Sequence, residues 1–342
     1  MEGGGIMKKL EHITEDGWNS VCEFNKTICD DFLENSAELS PKTKKAYESN
    51  LHIWFMWVKD NLGNAQQIDI KPLQYKKFQN WLLNRGCSSS DIYNKRAAIS
   101  SLNNYIEVYY QDEYPLFRNF INKSIKRPPK NFVHEKKPLT KSEYESLIKE
   151  LEGRGEWQKI AYLMFTFETG CRRAESRQLT KDVIMSVPQI TEKVSLDENG
   201  NEVVERVFKY LTKPIRCKGA GETGKVRRLT FGQRSMDAIK KWIDMRGGID
   251  GDDCEYVFVT KHGDRYSQVS ETTFNQWCEN YFSKIVGRRF HPHLLRESRA
   301  TQAVVEDGKD IHVVQKLLGH NDSSTTEIYV IREDDDSVDD LF

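Results

Sequence analysis

No stretch of this 342-residue sequence approaches the roughly 18 consecutive apolar residues of a membrane-spanning helix, which argues against a helical membrane protein. The first residues, MEGGGIMKKLEHITEDGW, lack the apolar core of an export signal. Cysteine is sparse. The seven present, at 22, 29, 87, 171, 217, 254 and 278, are odd in number and never spaced C-x-x-C. A disulfide framework and a zinc site are therefore both poor readings, and a reducing cytoplasm is the expected location. An excess of charge of one sign is also missing. With 51 basic and 52 acidic residues the net charge is −1, which on its face argues against a nucleic-acid partner.

What is present changes that view, because the charge is segregated. Glu333, Asp334, Asp335, Asp336, Asp339 and Asp340 crowd the last residues. Without them the rest of the chain has more basic than acidic groups. Between 123 and 137 stand Lys123, Lys126, Arg127, Lys130, Lys136 and Lys137 against Glu135 alone. A local basic stretch can contact phosphates whatever the global sum, although a solvated linker has the same composition.

Periodicity divides the chain. Trp18, Val21, Phe24, Ile28 and Phe32 recur at helical spacing, giving a helical N-terminal extension over 1–38. Ser40-Pro41 reads as a helix cap followed by proline at the first helical position. Tyr47, Leu51, Trp54, Phe55 and Val58 then form one apolar face. A second helix is expected over 76–83. Ser90 is expected to cap a third, with Ile92, Ile99, Leu102 and Ile106 on one side and Lys95 and Arg96 on the other. Residues 39–124 thus read as an all-helical domain. Residues 125–137, with Arg127-Pro128-Pro129-Lys130, read as a basic linker. A domain over 138–331 begins with Thr140 and Glu143 as a capping box. A buried helix follows through Ile160, Leu163, Met164 and Phe167 and stops near Gly170. Strands are expected at VVERVFKYL, KVRRLTF and 256–260, around the glycine-rich turn CKGAGETG. The acidic stretch 187–203 reads as a loop insertion, and 332–342 as an acidic tail.

Breaking a phosphodiester without a metal concentrates negative charge on two non-bridging oxygens, which arginine forks suit. It also needs a nucleophile and an acid for the leaving 5′ oxygen. A tyrosine nucleophile leaves a phosphotyrosyl ester that keeps the bond's free energy, so rejoining needs no ATP. Such a set is available. Thr169-Gly170-Cys171-Arg172-Arg173-Ala174-Glu175 puts an arginine just after the buried helix. His293-Leu294-Leu295-Arg296 puts another one helical turn from a histidine. Leu317-Leu318-Gly319-His320 ends a helix, and Tyr329 follows nine residues later.

These segments resemble the two signature boxes of the tyrosine recombinase (phage integrase) family, T-G-x-R-x-x-E and H-x-L-R…L-G-H…Y. Thr43, Tyr47, Leu51, Trp54 and Trp57 likewise resemble the first helix of its core-binding domain. The resemblance covers most of residues 40–331. It implies a mainly α fold with a small antiparallel β-sheet, in a two-domain architecture. A helical core-binding domain would precede a mixed α/β catalytic domain. It further implies that Arg172 and Arg296 clamp a scissile phosphate. His293 and His320 would hydrogen-bond the phosphate and assist proton transfer. Lys218 would be the general acid, Glu175 a brace and Tyr329 the nucleophile. Lys42, Thr43, Lys44, Lys45, Lys95, Arg96, Lys126 and Arg127 would contact DNA.

The implied partners are double-stranded DNA and three further copies of the chain, in a tetramer that exchanges strands through a Holliday junction. Accessory DNA-bending proteins are compatible with this. No metal and no cofactor are implied, and a bacterial mobile element is the usual setting. Glu297 departs from the family pattern, where a histidine is frequent. The rivals are a non-catalytic DNA-binding regulator on the same fold, a type IB topoisomerase-like enzyme and a protein-binding helical scaffold. Each residue alone is ordinary. Arg173 competes with Arg172, His291 with His293, and Lys213 and Lys225 with Lys218. Their joint order carries the reading.

Overall fold

Two large hydrophobic cores and a small third cluster organise the described residues. The computed structural model describes residues 13–121, 125–128, 137–196, 201–217 and 225–319. These fall into two units, 13–121 with 125–128 in the first and 137–196, 201–217 and 225–319 in the second.

The first unit is helical: α1 (Glu15–Asn19), α2 (Glu23–Asn35), α3 (Pro41–Leu62), α4 (Pro72–Asn84) and α5 (Ser89–Tyr109). Local chemistry sets the boundaries. Ser40 Oγ accepts the Thr43 amide, Pro41 occupies the first turn of α3, and Gly63 ends the helix at φ 61°. The cap of α5 is Ser88, two residues before the expected Ser90. α4 starts at Pro72, earlier than the expected 76. The described part of the segment before residue 38, which starts at residue 13, is not an appendage. Val21, Ile28, Cys29 and Phe32 are buried in the same core as Leu51, Trp54, Phe78 and Ile99.

A buried polar chain threads this core. Trp54 Nε1 donates to Gln67 Oε1 at 2.7 Å, and Gln67 Nε2 donates to Asn103 Oδ1 at 2.6 Å. The Gln67 amide donates to Asn25 Oδ1 at 2.8 Å, and Asn25 Nδ2 to the Ala65 carbonyl at 2.9 Å. The side chains that pin α2, α3 and α5 together are thus fully satisfied away from water. Gln67→Leu keeps the volume but orphans Trp54 Nε1 and Asn103 Oδ1. At about 1–3 kcal/mol for each stranded group, it should cost about 2–6 kcal/mol in chemical denaturation. A loss within about 0.5 kcal/mol, typical of a surface change, would show that the network carries no weight.

One expectation for this unit is corrected. Lys95 and Arg96 do not line a solvent-facing side of α5, because both are buried. Lys95 Nζ pairs with Asp91 at 2.6 Å, and the Arg96 guanidinium lies over the Tyr75 ring. A 21-residue helix held on several sides has few outward positions, which a two-sided pattern does not capture.

The second unit starts with α6 (Lys141–Gly153), where Thr140 and Glu143 form the expected capping box. α7 (Trp157–Thr169) is its axis, buried continuously from Lys159 to Thr166. It ends at Gly170, whose φ of 58° favours glycine. A Cβ there would also collide with the Leu318 side chain. The short α8 (Arg173–Ser176) follows, and Lys181–Met185 forms a 3₁₀ turn.

Strands then take over: β1 (Gln189–Leu196), β2 (Glu202–Leu211), β3 (Ile215–Cys217), β4 (Lys225–Arg227) and β5 (Thr230–Gly232). β1 pairs antiparallel with β2 from Gln189↔Lys209 to Leu196↔Glu202, and β2 pairs with β5. The stretch read as an acidic loop is therefore a β-hairpin. Its Ile190, Val194, Val203 and Val204 are β-branched and suit strands despite their exposure. β3 and β4 form a second hairpin. α9 (Gln233–Met245) packs on α7. β6 (Val259–His262) and β7 (Arg265–Gln268) pair with each other, so the expected strand at 256–260 lies slightly later.

A helix runs through α10 (Glu271–Trp277), a π turn (Cys278–Phe282) and α11 (Ser283–Val286). α12 (Pro292–Thr301) continues into a second π turn (Gln302–Glu306), and α13 (Ile311–Leu318) ends at Gly319. Among the described residues no helix is long and apolar enough to cross a membrane.

Candidate active site

Gly170 turns the chain out of α7, and Arg172 becomes the residue that caps α8. Glu175, one turn later, folds back on it. Its Oε2 accepts the Arg172 amide and its Oε1 accepts Arg172 Nη1, both at 3.1 Å. The capping geometry of a four-residue helix thereby fixes a guanidinium. Glu175 is 1% exposed, while the Arg172 side chain keeps 26% of its surface open. The neighbouring Arg173 reaches elsewhere, donating to Asn275 Oδ1 at 2.7 Å on α10.

Arg227, at the end of β4, approaches the same carboxylate. Its Nη2 donates to Glu175 Oε2 at 2.7 Å and its Nη1 to the Leu317 carbonyl at 2.6 Å. Burial alone would raise the pKa of Glu175. The charge of Arg227 and its hydrogen bond, then the contacts with Arg172, outweigh burial and hold the pKa below the usual carboxylate value.

Arg296, on α12, has no exposed surface. Its Nη1 donates to the Gly170 carbonyl and its Nη2 to the Leu318 carbonyl, the latter at 2.7 Å. These are carbonyls at the ends of α7 and α13, which lack helical partners of their own. The two boxes and the end of α13 are thus joined by side chains from α8, β4 and α12 and by carbonyls at the ends of α7 and α13.

His291 and His293, both open readings from the sequence, have different environments. His291 caps α12, with Nδ1 accepting the Leu294 amide at 3.1 Å. His293 is open to solvent on one side. Desolvation of the rest of its ring lowers its pKa to about 4, reinforced by the positive charges of Arg173, His291, Arg296 and Arg172. It is therefore neutral at pH 7, and an arriving phosphate would pull its pKa back up.

The lowered value has a consequence for stability. The unfolded chain takes up this proton near the ordinary 6.5, the folded chain only near 4. The contribution of His293 is therefore fully present above about 6.5 and is lost as pH falls from there toward 4. His293→Gln should flatten the melting-temperature curve across that window. Parallel wild-type and variant curves would mean that the imidazole titrates normally.

Lys218, His320 and Tyr329 lie outside the described residues. The strand that leads to Lys218 is nevertheless anchored to the first box. Gln178 Nε2 donates to the Arg216 carbonyl at 2.9 Å, and Gln178 Oε1 accepts the Arg216 amide at 3.0 Å. Burial first, then the Glu175 carboxylate, raises the pKa of the adjacent Cys217 thiol.

The DNA-contact candidates belong to the first unit. Lys42, Lys45, Lys126 and Arg127 are exposed. Lys44 Nζ reaches the Glu34 carbonyl at 3.4 Å, and the Thr43 hydroxyl lies 2.9 Å from Ser40 Oγ. Arg127 stacks over Tyr93 and donates to its hydroxyl at 2.8 Å.

Sequence reasoning missed Arg227 and Gln178. A signal for Arg227 was available. In KVRRLTF, positions 227, 229 and 231 share an inward parity, and Leu229 and Phe231 are buried. An arginine at an inward strand position needs a partner inside.

Residues 137–335 match the family model described as the phage integrase family. The SPbeta prophage-derived recombinase-like protein YomM of Bacillus subtilis (strain 168) is 31% identical over 339 residues, covering 98% of this chain and 95% of its own length. The tyrosine recombinase XerC of Pseudomonas fluorescens (strain Pf0-1) is 25% identical, covering 87% of each. Among solved structures, the Tn1549 transposon integrase in complex with transposon right-end DNA has a TM-score of 0.64 at 16% identity, covering 93% of this chain and 98% of its own. A lambda integrase dimer bound to a core site has a TM-score of 0.58 at 16% identity, covering 91% and 78%. At these identities the two structures share the fold.

Proposed function

The chain belongs to the phage integrase family and is a site-specific tyrosine recombinase, and from that premise we propose the chemistry that its residues perform. Tyr329 attacks a DNA phosphorus, leaving a 3′-phosphotyrosyl link and a free 5′ hydroxyl. Arg172 and Arg296 carry the charge that develops on the non-bridging oxygens. His293 and His320 hydrogen-bond those oxygens. Lys218 protonates the leaving 5′ oxygen, and Glu175 holds Arg172. Residues 39–124 and 138–331 bind duplex DNA together, with the 125–137 stretch between them.

Four copies act on two duplexes and exchange strands in two steps through a Holliday junction, in the cytoplasm. The Tn1549 and lambda integrases seen with DNA support duplex DNA as the partner.

The observation that carries this reading is the convergence of the two boxes. The Arg296 guanidinium reaches the Gly170 carbonyl immediately before the Arg172 segment, and Arg172, Glu175 and Arg227 continue the cluster. Arginines far apart in sequence thus meet at the Glu175 carboxylate and at the ends of α7 and α13, an arrangement that supports a phosphate site there.

The decisive measurement is covalent capture. Wild-type protein incubated with nicked duplexes of randomised core sequence should give a protein–DNA species that survives denaturation. Sequencing it identifies the site. Two copies of that site in one plasmid should then recombine. Relaxation of supercoils without recombination would favour the topoisomerase-like alternative, and absence of any covalent species the non-catalytic one.

A further inference from the structure

Arg227 has no task in the chemistry above, yet it is the group through which the described parts of the site communicate. It projects from β4 and is mostly buried, with 19% of its side chain exposed. One fork nitrogen holds the buried carboxylate that aims Arg172, and the other holds the carbonyl of Leu317 at the end of α13. The helix end is packed directly on the guanidinium. Gly319 has φ 66°, and a Cβ there would stand 3.0 Å from Arg227 Nη1 and 3.2 Å from Cζ. A side chain at 319 would displace one or the other.

We propose that Arg227 is a positioning residue that couples the seating of α13 to the aim of Arg172. Glu175 divides its two oxygens between two guanidinium groups: Oε1 serves Arg172, while Oε2 serves Arg227 and the Arg172 amide. While Arg227 holds Oε2, the carboxylate does not collapse onto Arg172, which keeps a donor edge for a phosphate. The carboxylate keeps its place only if Arg227 keeps its own, and Arg227 is fixed in turn by Leu317. His320 and Tyr329 follow α13 in the sequence, so the same bond tethers the start of the segment that carries them. A planar fork can meet an oxygen of a carboxylate and a carbonyl at once, and an ammonium cannot do so with the same geometry. This inference rests on the reading that Arg172 and Tyr329 act on one phosphate.

The experiment uses the full chain and the nicked duplex that the wild type captures from the randomised pool. Three quantities are measured at a temperature where every variant is folded: the single-turnover rate of covalent complex formation, the affinity for an unnicked duplex of the same sequence, and the melting temperature. Arg227→Met should slow covalent complex formation about a hundredfold, the scale of a displaced catalytic group, with duplex affinity changed by less than about threefold. Arg227→Lys should recover part of the rate. Glu175→Gln should also be slow, and the double variant should be no slower than the slower single one, because both changes cut the same connection.

An Arg227→Met rate close to wild type, or effects of the two changes that multiply, would overturn the coupling. So would an Arg227→Lys variant that is as slow as Arg227→Met at equal stability. A wild type that captures nothing would remove the Tyr329 reading and this one with it. A wild type that captures alongside an equally fast Arg227→Met removes only this one.

Discussion

With phenylalanine at position 329, the protein should bind the captured duplex as before and should form no covalent complex with it. The exchange removes one oxygen and leaves an aromatic ring of nearly the same volume. Fold and DNA affinity therefore have little reason to change, since affinity resides in many phosphate contacts spread over the protein. On the proposed chemistry the reaction loses its nucleophile, and no neighbouring group in Ser323-Ser324-Thr325-Thr326-Glu327-Ile328 is expected to replace it. Loss of an activated nucleophile costs on the order of 10⁴-fold or more in rate. The denaturing gel should therefore show no protein–DNA band over times in which the wild type is fully converted. A residual band that maps to a different residue by mass spectrometry would move the nucleophile elsewhere.

Arg296→Met should be the most damaging change among the described residues, because it affects two functions at once. The side chain is fully buried, and its two terminal nitrogens serve the carbonyls of Gly170 and Leu318. Methionine fills most of the volume but leaves both carbonyls without these donors. At about 1–3 kcal/mol for each stranded group, the second unit should lose about 2–6 kcal/mol. Cleavage should fall about 10²- to 10³-fold beyond any loss of folded protein, as when one charge-stabilising donor is removed.

Arg172→Ala separates the two functions. Its side chain is partly open, and Glu175 retains Arg227. It should slow cleavage by a similar factor with a much smaller change in melting temperature. The contrast is the informative result. If Arg296→Met and Arg172→Ala had equal thermal stability, the bonds to the helix ends would contribute nothing. If both cleaved at wild-type rate, the phosphate would lie elsewhere. Arg296 has no exposed surface, so a phosphate can reach its guanidinium only if a neighbouring segment shifts.

Much of this molecule was legible along the chain. The caps at Ser40 and Thr140, the buried face of α7 and its stop at Gly170 depend on residues within one or two helical turns. Interactions of that range leave a periodic trace. The order of the two boxes was equally readable, since it is a property of the sequence itself.

What the sequence could not decide is which partner each polar group takes. The acceptors of Arg296 lie 126 and 22 residues away, and the carboxylate bound by Arg227 lies 52 residues away. Apart from their place in the motifs, nothing local distinguishes Arg172 from Arg173 or His291 from His293. The partners do, with Glu175 on one arginine, Asn275 on the other and the Leu294 amide on His291. The burial of Lys95 and Arg96 and the hairpin at 189–211 were misjudged for the same reason. Side-chain type sets what a residue is able to bind. Only the packing of distant segments, which excludes water and offers one acceptor rather than another, fixes what it does bind.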